Sequence, residues 1–377
     1  MKVARFYAPG ELRVEEIPKP VPGPGELLMR VRACATCGTD VKIFNFGHHH
    51  IVPPRVMGHE VAGEVEALGE GTQGFSPGDR VQLIAAIPCG ECFECRNRSM
   101  SICANQESIG YHYDGGFAEW LVVPAKVLKV KGLNLIREGL PFEEAAVTEP
   151  LACVLNGQEL AGVGDGDVVV VIGAGPIGCL HVRLARARGA AQILLVDMNG
   201  ARLEMSAQRV EPDSAVDASK ENAVDAVLKL TDGRGADVII TAAASGAAQE
   251  EAIQMAARGG RISFFGGLPK DNPVINLDSN AVHYRELTIV GANGSTPAHN
   301  TEALQLIASG AVPVKDLITD RLSLDQVLAG IEAVKSGNSI KVVITPKRRD
   351  PAHGGCQSRC DRRITGRTAR QACEACS

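Results

Sequence analysis

The sequence predicts an α/β chain in two parts, a β-rich part followed by a doubly wound parallel sheet. Two observations carry this. Up to about residue 150, short apolar runs alternate with Gly/Pro turns; beyond it, strands that are apolar throughout alternate with helical stretches. Where the first such strand meets its helix stands Gly173-Ala174-Gly175-Pro176-Ile177-Gly178, a G-x-G-x-x-G spacing.

In the β-rich part, residues 27–33, 61–68, 80–84 and 117–123 read as strands. The N-terminal residues also lead straight into a strand-like segment. In the second part, residues 167–172 (DVVVVI) form a continuous apolar strand, followed by GAGPIG and a helix to residue 188. Gln192–Asp197 is the next strand, with a helix around 202–208. Residues 236–242 and 260–265 are further buried strands, and 287–290 is a last one before Gly291. Helices around 301–309 and 324–336 and a final strand, Lys341–Thr345, complete the pattern. The expected division is a first domain over 1–154, a dinucleotide-binding domain over 155–291 and a completion of the first domain over 292–346.

Hydrophobic residues make up 45% and charged residues 22%, which fits a globular protein with substantial cores. No apolar run reaches the roughly 18 residues that span a bilayer. The first residues lack the apolar core and cleavage site of a signal peptide, so the expected location is the cytoplasm. Net charge is −5, unevenly spread. From Lys347 onward, eight Lys/Arg face three Asp/Glu, so the last stretch carries +5 and the body −10. An acidic body gives no reason to expect a nucleic-acid partner. Residues 347–377, with Cys356, Cys360, Cys373 and Cys376, read as a disordered basic tail or a small zinc module.

Each glycine of the fingerprint has a job. Gly173 permits the tight turn, Gly175 lets the backbone approach a pyrophosphate, and Gly178 lets the helix pack close to the sheet. The helix N-terminus, with Pro176 and Ile177, offers free N–H groups to phosphates. Asp197 ends the next strand, nineteen residues after Gly178. It can accept from the adenosine ribose hydroxyls and would repel a 2′-phosphate, which favours NAD over NADP. Arg202 lies over the adenine or is a solvated helix residue.

The twelve cysteines are clustered. Cys89, Cys92, Cys95 and Cys103 can surround one tetrahedral Zn²⁺ with no water ligand, the mark of a structural site. Disulfides are the rival reading, which the cytoplasm disfavours. Cys34, Cys153 and Cys179 read as buried filler.

A second set of candidate ligands is spread along the chain: Cys37 in CGTD, His59 and Glu60 in GHE, and Glu149 in TEP. Spacing alone does not connect them. With PGPGELLMRVRACATCGTD, MGHEVAGEVEALGEG, SPGDRV, CGECFECRNRSMSIC, DGGFAEWLVVP, EEAAVTEPLACVL and VVVIGAGPIG, however, residues 1–346 resemble the zinc-dependent medium-chain dehydrogenase/reductase family, especially its sorbitol (polyol) dehydrogenase branch. The resemblance implies a GroES-like catalytic domain and a Rossmann domain with the active site in the cleft between them. It implies two zinc ions per chain, one structural and one catalytic, the latter bound by Cys37 and His59. The third ligand is Glu60 or Glu149. Three protein ligands leave one coordination position open, where zinc acts as a Lewis acid.

The implied activity is hydride transfer from a secondary alcohol, polyol or sugar-like, to NAD⁺. Threonine, a sugar phosphate or an inositol-like ring are alternative substrates. A non-catalytic nucleotide-binding redox sensor is the alternative of another class. Thr39 matches the hydroxyl that begins the family's proton relay, while Lys42 stands where a His often continues it. Asp40 orients the metal site. The branch's habit is a homotetramer or dimer. His48, His49 and His50 read as a solvated loop, a substrate contact or a metal tract, and Tyr111, His112 and Tyr113 as further pocket candidates.

Overall fold

Alternate residues of the strand Val168–Ile172 enter different cores. Val169 and Val171 pack with Ile193, Leu195, Val238 and Ile240 on one face. Val170 and Ile172 pack with Leu194, Val196, Ile239 and Ile262 on the other. A strand buried on both faces has to be apolar at every position, which is why DVVVVI and QILLVD lack alternation. The computed structural model describes residues 1–346, and the expected disordered or zinc-binding tail, 347–377, lies outside them.

Six strands form the parallel sheet. Their spatial order is Ser214–Asp217, Gln192–Asp197, Val168–Ile172, Ala236–Thr241, Ala256–Phe264 and Thr288–Gly291. Strand order reverses at Val168–Ile172, so the crevice beyond its C-terminal end is the ligand position of a doubly wound sheet. Gly173 follows that end directly. The helices Pro176–Ala187, Gly200–Val210, Ala223–Leu230 and Gly246–Met255 connect consecutive strands.

A second sheet has seven strands. Leu133–Leu135, Arg80–Leu83, Glu60–Leu68, Leu27–Ala35, Lys341–Thr345 and Ile318–Ser323 lie in that order, and Trp120–Val123 also pairs with Leu27–Ala35. Late residues thus return to the first sheet: Ile344 lies opposite Cys34 and Val343 opposite Ala35. On the other side of the same central strand, Ala35 lies opposite Glu60. That register brings Lys341 beside Glu60. A smaller sheet pairs Lys2–Ala8 with Glu11–Glu16 and Arg55–Val56.

Two departures from the expected elements have clear causes. The strand expected over 117–123 begins only at Trp120, because Gly116 and Phe117 donate instead to the carbonyls of Gly58 and Met57. Helices Gly38–Phe46 and Thr148–Leu160 have no counterpart in the sequence reading. Ten of the thirteen residues in Thr148–Leu160 are buried, so it shows no amphipathic stripe to detect.

Candidate active site and metal centres

Cys37 caps the helix Gly38–Phe46 in extended conformation, φ −120° and ψ 154°. Its backbone N–H donates to Asp40 Oδ2 at 2.8 Å, and the Asp40 N–H donates back to the Cys37 carbonyl at 3.0 Å. Asp40 is therefore locked into the first turn and buried. Its other oxygen, Oδ1, lies 3.6 Å from His59 Nδ1. Thr39 Oγ1 lies 3.6 Å from Cys37 Sγ.

His59 follows a glycine that nothing else could replace. Gly58 has φ +90°, and a Cβ there would stand 2.7 Å from Cys34 Sγ and 2.8 Å from the Phe117 ring. The DGG segment closes over this turn. Gly115 donates to Val56 O at 2.8 Å, and a Cβ at Gly115 would meet Gly58 O at 2.2 Å. Phe117 and Met57, both fully buried, anchor the two segments at roughly 2 kcal/mol each. These packing needs explain why MGHE and DGGF occur together in one chain.

The result is a convergence. The ligand atoms of Cys37, His59 and Glu60 all lie within 4.8 Å of one another. Glu60 is 0% exposed and faces Lys341, 3% exposed, whose Nζ lies 2.7 Å from Oε1 and 2.5 Å from Oε2. Lys341 also donates to Thr36 O at 2.9 Å. Burial pushes the Glu60 carboxyl up to about 7, against the pull of Lys341 and with a further push from Glu149. Burial works against protonating His59, yet Asp40, with smaller help from Tyr111 and Cys37, holds the ring well above the ordinary imidazole value. Burial likewise opposes charging Lys341, and Glu60 and Cys37 overcome it.

Two buried atoms in this cluster, Asp40 Oδ1 and His59 Nδ1, face each other at 3.6 Å without a hydrogen bond, while Glu60 Oε2 is covered by Lys341 Nζ. Buried polar atoms without partners are costly. A thiolate, an imidazole and a carboxylate are also the donor set zinc prefers when it keeps a position open. The residues present therefore fit a catalytic zinc ion, with Asp40 placed to orient the His59 ring.

Glu149, the other candidate third ligand, sits in the first turn of Thr148–Leu160 outside that close group. One turn later Cys153 Sγ lies 3.6 Å from Glu149 Oε1. Burial and Glu149 raise the Cys153 thiol well above its ordinary value. Cys34 and Cys179 are buried as expected, but Cys153 is only half-buried and sits against Glu149. Lys341 was not legible at all, since its partner is 281 residues away.

The four-cysteine loop closes as expected. The thiols of Cys89, Cys92, Cys95 and Cys103 lie within 4.8 Å of one another, and all are free. The N–H groups of Glu91 and Cys92 donate to Cys89 Sγ at 3.5 and 3.3 Å and bring that thiol down to about 6. Burial, then the neighbouring Cys92, pushes Cys95 up to about 12. Four crowded sulfurs, one already inclined to ionise, fit a structural zinc whose charge stabilises all four thiolates.

At the dinucleotide fingerprint, Gly173 has φ +115°, and a Cβ at Gly178 would overlap Gly173 O at 1.7 Å. At Gly175, by contrast, a Cβ meets nothing within 4 Å. That open space, at the N-cap of Pro176–Ala187, suits a pyrophosphate. Asp197 Oδ2 accepts from Ala174 N at 2.7 Å, and Oδ1 accepts from Asn199 N at 2.7 Å and from Arg202 Nη2 at 3.0 Å. Arg202 is thus an ion-pair partner of Asp197, a role the sequence reading did not include. Gly173, Asp197, Arg202, Ala223 and Ser245 line a cavity of about 320 Å³. A larger cavity, about 660 Å³, opens beside the four-cysteine loop and the start of Pro297–Ser309, away from this chemistry.

Residues 23–132 match the family model described as "Alcohol dehydrogenase GroES-like domain", and residues 176–309 the one described as "Zinc-binding dehydrogenase". A sorbitol dehydrogenase of Halalkalibacterium halodurans is 31% identical over 90% of this chain and 97% of its own. An L-threonine 3-dehydrogenase of Pyrococcus horikoshii is 34% identical over 88% of this chain and 94% of its own. Among solved structures, a protein of Sinorhizobium meliloti described as a zinc-binding dehydrogenase bound to NADP superimposes with a TM-score of 0.84. It shares 31% identity and is matched over 92% of this chain and 99% of its own.

Proposed function

Because the chain belongs to the zinc-dependent medium-chain dehydrogenase/reductase family, we propose that Cys37, His59 and Glu60 hold its catalytic zinc and that the substrate is a polyol or sugar-like secondary alcohol. The chain is an enzyme, a zinc-dependent oxidoreductase that transfers a hydride from a secondary alcohol to a nicotinamide dinucleotide and leaves a ketone. Zinc supplies Lewis acidity at the substrate oxygen, and the dinucleotide accepts the hydride.

The chain's own residues do the rest. Asp40 holds the His59 ring from its Nδ1 side, 3.6 Å away. Thr39 Oγ1 can accept a proton and pass its own outward, which a relay requires. The half-exposed Thr39 stands one turn before exposed Lys42, on the way out to solvent. Lys341, itself buried, balances the charge of Glu60. Glu149 takes a supporting place at the same centre.

The observation that carries this reading is the meeting of the ligand atoms of Cys37, His59 and Glu60 within 4.8 Å. Glu60 is favoured as the third ligand over Glu149, which lies outside that group. Gly173, Gly175, Pro176, Ile177 and Gly178 hold the pyrophosphate, and Asp197 with Arg202 the adenosine. Asp197 favours NAD as the working cofactor.

The domain limits we propose are 1–154 and 292–346 for the catalytic domain and 155–291 for the dinucleotide domain. A homo-oligomer is supported by the outermost strand, Thr288–Gly291, and by Val274 and Tyr284, exposed at 78% and 70%. A cytoplasmic location is supported by eight unpaired cysteines among the described residues. No described helix is long and apolar enough to cross a membrane.

The test is an NAD⁺-reduction screen over sorbitol, xylitol, iditol, threitol, inositols, threonine and simple secondary alcohols. Turnover of the polyols above the rest supports the reading. Preference for threonine, whose dehydrogenases are equally similar, moves the substrate, and no turnover of any of them favours a nucleotide-binding sensor.

A further inference from the structure

The histidine tract has no place in the chemistry above, yet its rings are gathered. His48, His49 and His50 follow Gly47, which has φ +72°. Their ring centroids lie 4.5, 4.0 and 5.4 Å apart, and His50 lies 4.7 Å from His112 of another segment. The cluster touches the reaction centre through one ring: Tyr111 lies 5.0 Å from His48 and 5.9 Å from His59. Two ring-to-ring steps, through Tyr111, therefore separate His48 from His59.

The protons of two of these rings can be placed. His48 Nδ1 accepts from the His50 N–H at 3.3 Å, and His112 Nδ1 accepts from the Ser108 N–H at 3.1 Å. An accepting ring nitrogen carries no hydrogen, so the neutral ring keeps its proton on Nε2 and donates from there. That arrangement suits an anion and hinders a metal ion. The same chain shows the arrangement satisfied elsewhere: His299 Nδ1 accepts from Thr296 N, and its Nε2 meets the Glu159 carboxylate at 2.9 Å. At His48 and His112, among the described residues, no carboxylate fills that role. The nearby acids are engaged, Glu107 by Tyr113 and Lys126, and Asp114 by Arg55.

We propose that His48, His50 and His112, with Lys270, form the subsite for a terminal phosphate, so that the substrate is a phosphorylated polyol. The proposal rests on Cys37, His59 and Glu60 being the reaction centre. The electrostatic surroundings support it. Burial and then the other rings hold His48 and His112 below the ordinary imidazole value, His50 does the same to His49, and Lys270 adds to this at both His48 and His49. Neutral rings that donate from Nε2, with Lys270 near enough to act on two of them, suit an anion.

The experiment compares sorbitol and galactitol with their terminal monophosphates in NAD⁺ reduction by the zinc-loaded enzyme, and measures binding of inorganic phosphate by calorimetry. Wild type, His48→Ala, His112→Ala and Lys270→Ala are compared. The monophosphates are expected to exceed their parents about tenfold in kcat/KM, chiefly through KM. Each substitution should cut that ratio about threefold and weaken phosphate binding in parallel. Lys270→Ala guards against loss of the His112 backbone contact. Equal or reversed preference between parent and monophosphate overturns the proposal. If neither form is oxidised, the polyol reading fails, and the calorimetry still decides the subsite. Phosphate binding that the substitutions weaken supports it, whereas no binding, or binding they leave untouched, overturns it.

Discussion

Replacing Lys341 with Met removes a charge and keeps most of the volume. In the metal-free protein this leaves Glu60, 0% exposed, without its ion-pair partner and with His59 as its neighbouring cation. Breaking one side of a buried ion pair costs about 3–5 kcal/mol. The lost bond to Thr36 O adds about 1 kcal/mol. If Glu60 is a zinc ligand, the loaded protein retains a cation on that carboxylate, and the first term shrinks to about 1 kcal/mol while the second is unchanged. Urea unfolding of wild type and Lys341→Met, each stripped by chelator and then reloaded with zinc, measures both terms. The substitution should cost about 2–4 kcal/mol more in the stripped protein than in the loaded one. An equal cost in both states would refute Glu60 as a ligand and return Glu149 to that place.

The fingerprint glycines separate packing from binding. Gly178→Ala drives a methyl into Gly173 O and should destabilise the fold by more than about 3 kcal/mol, seen as a large fall in Tm. Gly175→Ala meets nothing within 4 Å, so stability should stay within about 0.5 kcal/mol of wild type while NADH binding weakens about tenfold by fluorescence titration. Asp197→Asn keeps an acceptor for Ala174 N but drops the charge; the NAD⁺/NADP⁺ ratio of kcat/KM should fall about tenfold or more, and an unchanged ratio would remove Asp197 from cofactor choice. His181, buried against Phe265, is lowered to about 3 by burial and then Arg188. The folded state keeps this ring neutral while the unfolded chain protonates near 6.5, so its contribution is full above that pH and is lost as pH falls toward 3. Between pH 6.5 and 5.5 wild type should lose about 1 kcal/mol more in urea unfolding than His181→Gln, and parallel slopes would contradict this.

What could be read from the sequence followed from local constraint. The parallel strands were legible because burial on both faces forces apolar runs. The four-cysteine loop was legible because all its thiols fall within fifteen residues. Cys37, His59 and Glu60 could be named only by resemblance, since the contacts that unite them run through the antiparallel register of Leu27–Ala35 with Glu60–Leu68. Lys341 escaped notice because its role depends on a C-terminal strand returning to the first sheet. Helix Thr148–Leu160 escaped because it is buried nearly all round. Arg202 was weighed for adenine or solvent, and its engagement by Asp197 needed coordinates.

The central claim is that one zinc ion serves structure at Cys89, Cys92, Cys95 and Cys103 and another serves hydride transfer at Cys37 and His59. The measurement that tests it most directly is zinc content beside NAD⁺ reduction for wild type and Cys37→Ser. Wild type should hold about two zinc ions per chain and the variant about one, with activity lost and the fold retained. Two zinc ions in the variant, or full activity with one, would contradict it.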